Sequence, residues 1–140
     1  MRNRLFFASL VFLLASFSGD QIYKDGSYTG ISRAGYTSEP YYSFTRIDVN
    51  CGKIISVEFF VRDSAKHETF NDKYEKYFAG NDVYIQQCRN DWIGINSYPD
   101  SLLKYQDLSK VDVISGATWS YNIFKASAQE ALSSTGPPAR

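Results

Sequence analysis

The chain has 140 residues, the length of one domain, and its 15 Lys and Arg balance its 15 Asp and Glu. Without net positive charge, the composition gives no electrostatic case for a nucleic-acid partner. Apolar residues make up 44% of the chain, with ten Phe, eleven Tyr and two Trp, which is enough for a compact core and an aromatic-lined pocket.

The N-terminus has the layout of a secretory signal. Arg2 and Arg4 precede a ten-residue apolar run at 5–14, and small residues follow the run. This run is shorter than the about 20 residues that cross a bilayer. We therefore expect residues 1–19 to be removed on export. The mature chain would lose two Arg and carry 13 minus 15, or −2. It would lack a transmembrane segment and lie outside the cytoplasm, as a periplasmic or secreted protein.

Residues 41–62 have the period of two that is typical of paired strands. The residues predicted to share the buried face of the two arms are Thr45, Ile47, Val49, Ile55, Val57, Phe59 and Val61. A turn signal at 50–52 separates the arms. The pattern predicts an antiparallel hairpin with one buried face. A short extended piece at 23–30, flanked by turn residues, precedes it.

The middle of the chain is less regular. Residues 70–78 place aromatic side chains at helical spacing, which predicts an amphipathic helix that ends at Gly80. Its aromatic stripe is interpreted as core packing, with a cofactor site as the less favoured alternative. Residues 83–95 fit either a helix or a strand. The Tyr98-Pro99-Asp100 sequence predicts a turn.

The C-terminal part begins with a short extended run at 111–114, followed by Ser115-Gly116-Ala117-Thr118 and a helix over about 118–132. The predicted fold is therefore α+β, a small antiparallel sheet packed by helices. Residues 20–134 form the predicted domain. The Gly-Pro-Pro sequence within 135–140 predicts a flexible tail.

The two cysteines, Cys51 and Cys88, do not form a CxxC pair, and the chain has a single histidine. A metal site is therefore not expected. In an oxidising compartment the two thiols could pair or stay separate, and the sequence leaves both open.

The segment from Asp112 to Thr118 places a hydroxyl at the first turn of a helix, after a tight turn centred on Gly116. The N–H groups at such a terminus converge, and the helix dipole favours an anion there. Small Ala117 leaves room beside the hydroxyl. The alternative is structural, with Ser115 or Thr118 acting only as the N-cap.

The Asp-x-x-Ser-Gly-Ala-Thr sequence at 112–118 resembles the flavinylation motif of the FMN-binding domain family. This family includes the flavin subunits of sodium-pumping quinone reductases and of ferredoxin-oxidising membrane complexes. Asp25 to Gly30 is similar to the family's opening strand, and Gly52 to Val57 to its hairpin. The stretch His67, Glu68 and Thr69 falls where the family often has His-Glu-Thr.

The resemblance implies a chemistry. A separate flavin transferase would attach FMN covalently, through its phosphate, to Thr118. Ser115, Gly116 and Ala117 would shape the phosphate site, and Asp112 would assist the transferase or fix the turn. His67, Glu68 and Thr69 would lie near the flavin, although Phe70-Asn71 replaces the Pro-Gly that often follows in the family.

The implied function is an electron carrier and not an enzyme, acting alone or as the redox subunit of a larger oxidoreductase. Its redox partners would be proteins, a membrane oxidoreductase among the candidates. A second hypothesis is a binding module that uses the same pocket for a non-covalent ligand or a protein. A third is an accessory domain with a vestigial motif. No spacing favours a hydrolytic triad around His67.

Overall fold

A computed structural model of the protein describes residues 23–32 and 40–136. The expected signal sequence and most of the expected tail lie outside these residues. The strands are β1 (Gly26–Ile31), β2 (Tyr41–Asn50), β3 (Lys53–Asp63) and β4 (Glu68–Thr69). The helices are α1 (Asp82–Tyr105) and α2 (Thr118–Ser133), with single 3-10 turns at Tyr74–Phe78 and Leu108–Lys110.

The strands form one antiparallel sheet in the order β1-β2-β3-β4. The two-residue turn between β2 and β3 has φ angles of 52° at Cys51 and 72° at Gly52. Paired positive φ angles are typical of the turns whose twist matches a hairpin. The predicted α+β class, with its antiparallel hairpin and C-terminal helix, is confirmed.

A β-bulge changes the phase of β3. Val49 pairs with Ile54, whereas Asp48 pairs with Ser56, so Ile55 is an extra residue. Ile54 is 3% exposed and Ile55 is 56% exposed. The prediction that Ile55 lies on the buried face is therefore wrong, because a strict period of two does not reveal a bulge.

Both helices pack against the sheet, α2 on β1 and β2 and α1 on β3, and they also contact each other. The closest approach is at Gly30. A Cβ atom there would lie 2.0 Å from the Ser127 carbonyl oxygen and 2.5 Å from the Ala131 nitrogen, so only glycine lets β1 lie this close to α2. Within the described residues, no helix is long and apolar enough to cross a membrane.

The middle of the chain departs from two sequence-based predictions. Phe70 continues from the sheet, with its N–H donating to the Val61 carbonyl, and only the 3-10 turn at Tyr74–Phe78 is helical. The predicted turn at Pro99 is wrong, because Pro99 lies inside α1. A proline removes one helical hydrogen bond, but the neighbouring Tyr98 and Leu102 are fully buried and hold the helix on the core.

Residues 83–95, which fitted a helix or a strand, belong to α1. Residues 111–114 form no helix and pair with no described strand; Val111 has extended backbone angles. Side chains hold them instead, since the Tyr121 hydroxyl donates to the Val111 carbonyl and the Ile114 N–H donates to the Tyr98 hydroxyl.

Candidate functional site

The turn before α2 is shaped by two small residues. Gly116 has a φ of 81°, and a Cβ atom there would lie 2.5 Å from Nδ2 of Asn90. The N–H of Ala117 donates to the Ile114 carbonyl at 2.9 Å, which closes the turn. Ala117 is fully buried, whereas the neighbouring Thr118 is exposed. The turn therefore places Thr118 at the surface, as the first residue of the helix.

The helix start receives no cap from its own segment. Ala117 is the N-cap residue, and no side chain there caps the helix. Neither the Ser115 nor the Thr118 hydroxyl bonds to a protein atom in the part of the chain that the structure describes. The purely structural interpretation, in which one of these hydroxyls is the cap, is therefore wrong.

The cap comes from α1. Asp91, 2% exposed, accepts hydrogen bonds through Oδ1 from the Ser120 N–H at 3.1 Å and from the Ser120 hydroxyl at 2.8 Å. Its Oδ2 accepts from Nε2 of Gln87 at 2.7 Å. The same Nε2 lies 3.0 Å from the Gly116 carbonyl oxygen, to which it also donates. Asp91 and Gln87 thus tie α1 to both the turn and the start of α2.

The contact continues one and two turns further along α1. The Tyr98 hydroxyl donates to the Ala117 carbonyl at 2.8 Å. Gly94 leaves space for this approach, because a Cβ atom there would lie 2.6 Å from the Ser120 Oγ atom. We call Gln87, Asp91, Gly94 and Tyr98 the clamp.

Sequence reasoning missed the clamp. Its members lie on one face of a helix, at spacings of four, three and four residues, and that spacing was the available signal. It was obscured because residues 83–95 fit two structures and Pro99 suggested a turn.

A cavity of about 530 Å³ lies beside the turn. This volume is within the range of small-molecule and cofactor sites. Trp119, the residue after Thr118, forms part of its wall, and so do Gln87 and Asp91 of the clamp. The other lining residues are Pro40, Tyr41, Phe70, Phe78, Tyr84 and Cys88. The cavity is thus mainly aromatic, with its polar groups on the side of the turn.

A buried carboxylate supports the aromatic wall. The Tyr74 hydroxyl donates to Oδ2 of Asp63, and the hydroxyl oxygens of Tyr41 and Tyr74 lie 2.9 Å apart. Burial works to raise the pKa of Asp63, but the hydrogen bonds from Tyr74 and from the N–H groups of Lys66 and Ala65 lower the pKa overall. Asp63 is therefore ionised at neutral pH and fixes the position of both rings.

Cys88 contributes a thiol to the cavity. Burial, with the negative charges of Asp91 and Glu75 nearby, raises the pKa of Cys88 to about 11. At neutral pH it is therefore a protonated, weakly polar group and not a nucleophile. Cys51 is exposed at the hairpin turn, and both cysteines are free thiols.

The structure brings together some of the site residues that the sequence predicts and leaves others apart. Asp112, Ser115, Gly116 and Thr118 are exposed around one turn, with Ala117 buried beneath them. The stretch 67–69 immediately precedes the cavity residue Phe70 in the sequence but does not itself line the cavity.

The three residues of that stretch have their own environments. His67 is exposed, with a φ of 55°. Glu68 binds Lys76 at 2.8 Å and also accepts from the Tyr77 hydroxyl, which lowers its pKa. Thr69 pairs with Arg62 in the sheet. Flavin contacts for His67, Glu68 and Thr69 stay predictions. The described part of the chain holds no group of three His, Cys, Asp or Glu that could bind a metal ion.

Comparisons with known proteins agree with this architecture. The crystal structure of the CPE2226 protein from Clostridium perfringens is similar, with a TM-score of 0.64 and 23% identity, over 81% of this chain and 88% of that chain. At this identity the likeness shows a shared fold. No curated protein matches the chain. The sequence profile of the FMN-binding domain matches residues 35–133, which include the sheet from β2 onward, the clamp and the motif. The chain therefore belongs to the FMN-binding domain family.

Proposed function

We propose that this protein is an exported electron-transfer flavoprotein that carries FMN covalently, through a phosphoester to Thr118. The observation that carries the proposal is the state of the Thr118 hydroxyl. It is exposed at the first position of α2, is not used as a cap, and adjoins an aromatic cavity of about 530 Å³.

The residues present fit the two ends of FMN. The flat ring system suits a cavity walled by five aromatic side chains, Tyr41, Phe70, Phe78, Tyr84 and Trp119. The phosphate end suits a hydroxyl that lies next to this wall on the exposed start of a helix. When bound, the flavin would supply the redox chemistry, and the protein would supply position, access and electrostatics.

Attachment of FMN to Thr118 requires a separate enzyme, a flavin transferase that uses FAD. The Thr118 Oγ atom would bond to the flavin-side phosphorus, AMP would leave, and the hydroxyl proton would be released. Asp112 and Ser115, exposed on the same turn, would be available to that enzyme. The phosphate of the product then carries the link to the protein, so a flavin held outside the cell is not lost by diffusion.

A carrier role suits the lining of the cavity better than an enzymatic role. Both oxygens of Asp91 accept hydrogen bonds within the protein, and the raised pKa of Cys88 keeps that residue a thiol. Neither group is disposed to move a proton to or from a substrate. The electron donor and acceptor would be partner proteins, reached outside the cytoplasm after removal of residues 1–19.

The test is the intact mass of the mature chain after export together with an active flavin transferase. Wild type should gain the mass of one FMN less one water. Thr118→Ala should gain nothing and stay as stable as wild type, because the side chain is exposed. Thr118→Ser keeps a hydroxyl and is the matched control. An unmodified wild type, with the transferase active on another acceptor, would contradict covalent attachment and favour a non-covalent binding module.

A further inference from the structure

Asp91 places a carboxylate at the N-terminus of α2. The first N–H groups of a helix have no intrahelical acceptor, and together with the dipole they form a natural phosphate site. In this protein the Ser120 N–H already donates to Asp91, at 3.1 Å. In the described part of the chain, Asp91 accepts hydrogen bonds from three donors: the Ser120 N–H, the Ser120 hydroxyl and the Gln87 amide. The helix start thus has an anion built into it.

In the part of the chain that the structure describes, the cavity wall beside this helix start carries no positive charge. Of the nine described residues that line the cavity, none is basic, and Asp91 is the one acidic residue among them. The basic residue of α1 nearest in sequence to Asp91, Arg89, is paired with Glu75 at 2.6 Å and 2.9 Å. A phosphate that approaches the turn therefore meets a negative charge without a cationic partner from the cavity wall.

We propose that Asp91 is a positioning residue with two effects: it holds the acceptor turn in shape, and it occupies the anion-binding end of α2. Retention of the flavin then depends on the covalent bond and on the ring, and not on recognition of the free phosphate. This inference rests on the proposed function. According to this inference Asp91, which lies outside the motif, sets the relative affinity of the site for riboflavin and FMN, two flavins that differ only in the phosphate.

The experiment uses variants that cannot form the covalent bond, and riboflavin and FMN as the two probes. Dissociation constants are measured by titration of flavin fluorescence at low ionic strength, where charge effects are least screened. Thr118→Ala should bind riboflavin at least as tightly as FMN. Adding Asp91→Asn keeps an amide oxygen that accepts from Ser120 and removes the charge, but its amide nitrogen cannot accept the hydrogen bond from Gln87. We expect this double variant to bind FMN about fivefold more tightly, with riboflavin changed by less than about twofold.

A second variant works in the opposite direction and does not disturb the cap. Asn90 approaches Gly116 from α1 and accepts a hydrogen bond from Gln86 at 2.9 Å, which an aspartate also accepts. Asn90→Asp, in the Thr118→Ala background, should therefore weaken FMN binding and leave riboflavin binding unchanged. If Asp91→Asn does not fold, the comparison of riboflavin with FMN in Thr118→Ala still decides whether the helix start holds the phosphate.

Two results would overturn the role of Asp91. One is a preference of Thr118→Ala for FMN over riboflavin of about tenfold or more, which would mean that the helix start holds the phosphate. The other is an equal change for both flavins on Asp91→Asn, which a purely structural role would produce. Failure to bind either flavin would also overturn this inference, because it would contradict the aromatic cavity as a ring site. The proposed function is tested separately, by the intact mass after reaction with the transferase.

Discussion

Replacing Gly94 with alanine tests how closely α1 packs on the start of α2. The added Cβ atom would lie 2.6 Å from the Ser120 Oγ atom, 2.8 Å from a ring carbon of Tyr98 and 3.0 Å from the Ala117 Cβ atom. Overpacking costs about 1–3 kcal/mol, whereas alanine in place of glycine inside a helix gains about 1 kcal/mol. Because all three neighbours are fully buried, they cannot move aside without cost. We expect a net loss of about 1–2 kcal/mol in the free energy of unfolding.

Urea unfolding followed by tryptophan fluorescence measures this loss as a lower midpoint with an unchanged slope. A double-mutant cycle with Ser120→Ala sharpens the test, because that change removes the nearest atom. The two substitutions together should cost less than their sum by about 0.5 kcal/mol or more. A Gly94→Ala variant as stable as wild type, or an additive cycle, would refute the close approach.

Gly30→Ala is the matched control for the site. It also overpacks, against the Ser127 and Ala131 backbone of α2, but far along the helix from Thr118. Both variants should lose stability. We expect the rate of FMN attachment, followed by intact mass where both are folded, to fall in Gly94→Ala and to be preserved in Gly30→Ala.

Two further predictions concern titrating groups. Because the folded pKa of Asp63 is lowered, its contribution to stability is present above the unfolded value of about 3.9 and is lost as the pH falls through the folded value. Asp63→Asn should therefore lose less stability than wild type between pH 7 and pH 3 in urea unfolding, and an equal loss would contradict the assignment. At Cys88, burial and a pKa of about 11 should prevent rapid reaction with a disulfide reagent at pH 8. The native protein should then show one fast thiol, the exposed Cys51, and the unfolded protein two, whereas two fast thiols in the native state would be the contrary result.

The spacing of apolar residues was sufficient to predict an element of secondary structure when one face of the element is buried and the other is not. The hairpin could be predicted because β2 alternates buried residues with half-buried or exposed ones from Ser43 to Asn50. The exposed position of Ile55 could not be predicted, since the bulge depends on pairing with β2 and not on the β3 sequence. The turn predicted at Pro99 was wrong because tertiary packing overrides the local preference. Its local preference for a turn is outweighed by burial of Tyr98 and Leu102, and only the tertiary structure shows that burial.

The candidate site also has a part that could be predicted from the sequence and a part that could not. The turn at 115–118 is a contiguous sequence with restrictive chemistry, so the motif could be recognised without a structure. The aromatic cavity and the clamp draw on β2, the 3-10 turn, α1 and α2. Their members are individually ordinary residues. Gln87 and Asp91 become informative only when their contacts with Gly116 and Ser120 are known, because those contacts span 29 residues of sequence in each case.

Because α2 is capped by Asp91 of α1, folding of the domain and attachment of FMN are expected to occur in a fixed order. A serine or threonine that caps its own helix would have its hydroxyl occupied as soon as the helix forms. Here the cap is Asp91, which reaches Ser120 only when α1 and α2 are packed together. The turn at 115–118 thus takes its shape in the folded domain, and the Thr118 hydroxyl stays exposed there. If a transferase reads that shape, FMN attachment follows folding. The comparison of Gly94→Ala with Gly30→Ala measures this dependence, since equal attachment rates in the two variants would mean that the enzyme reads the motif as an unfolded segment.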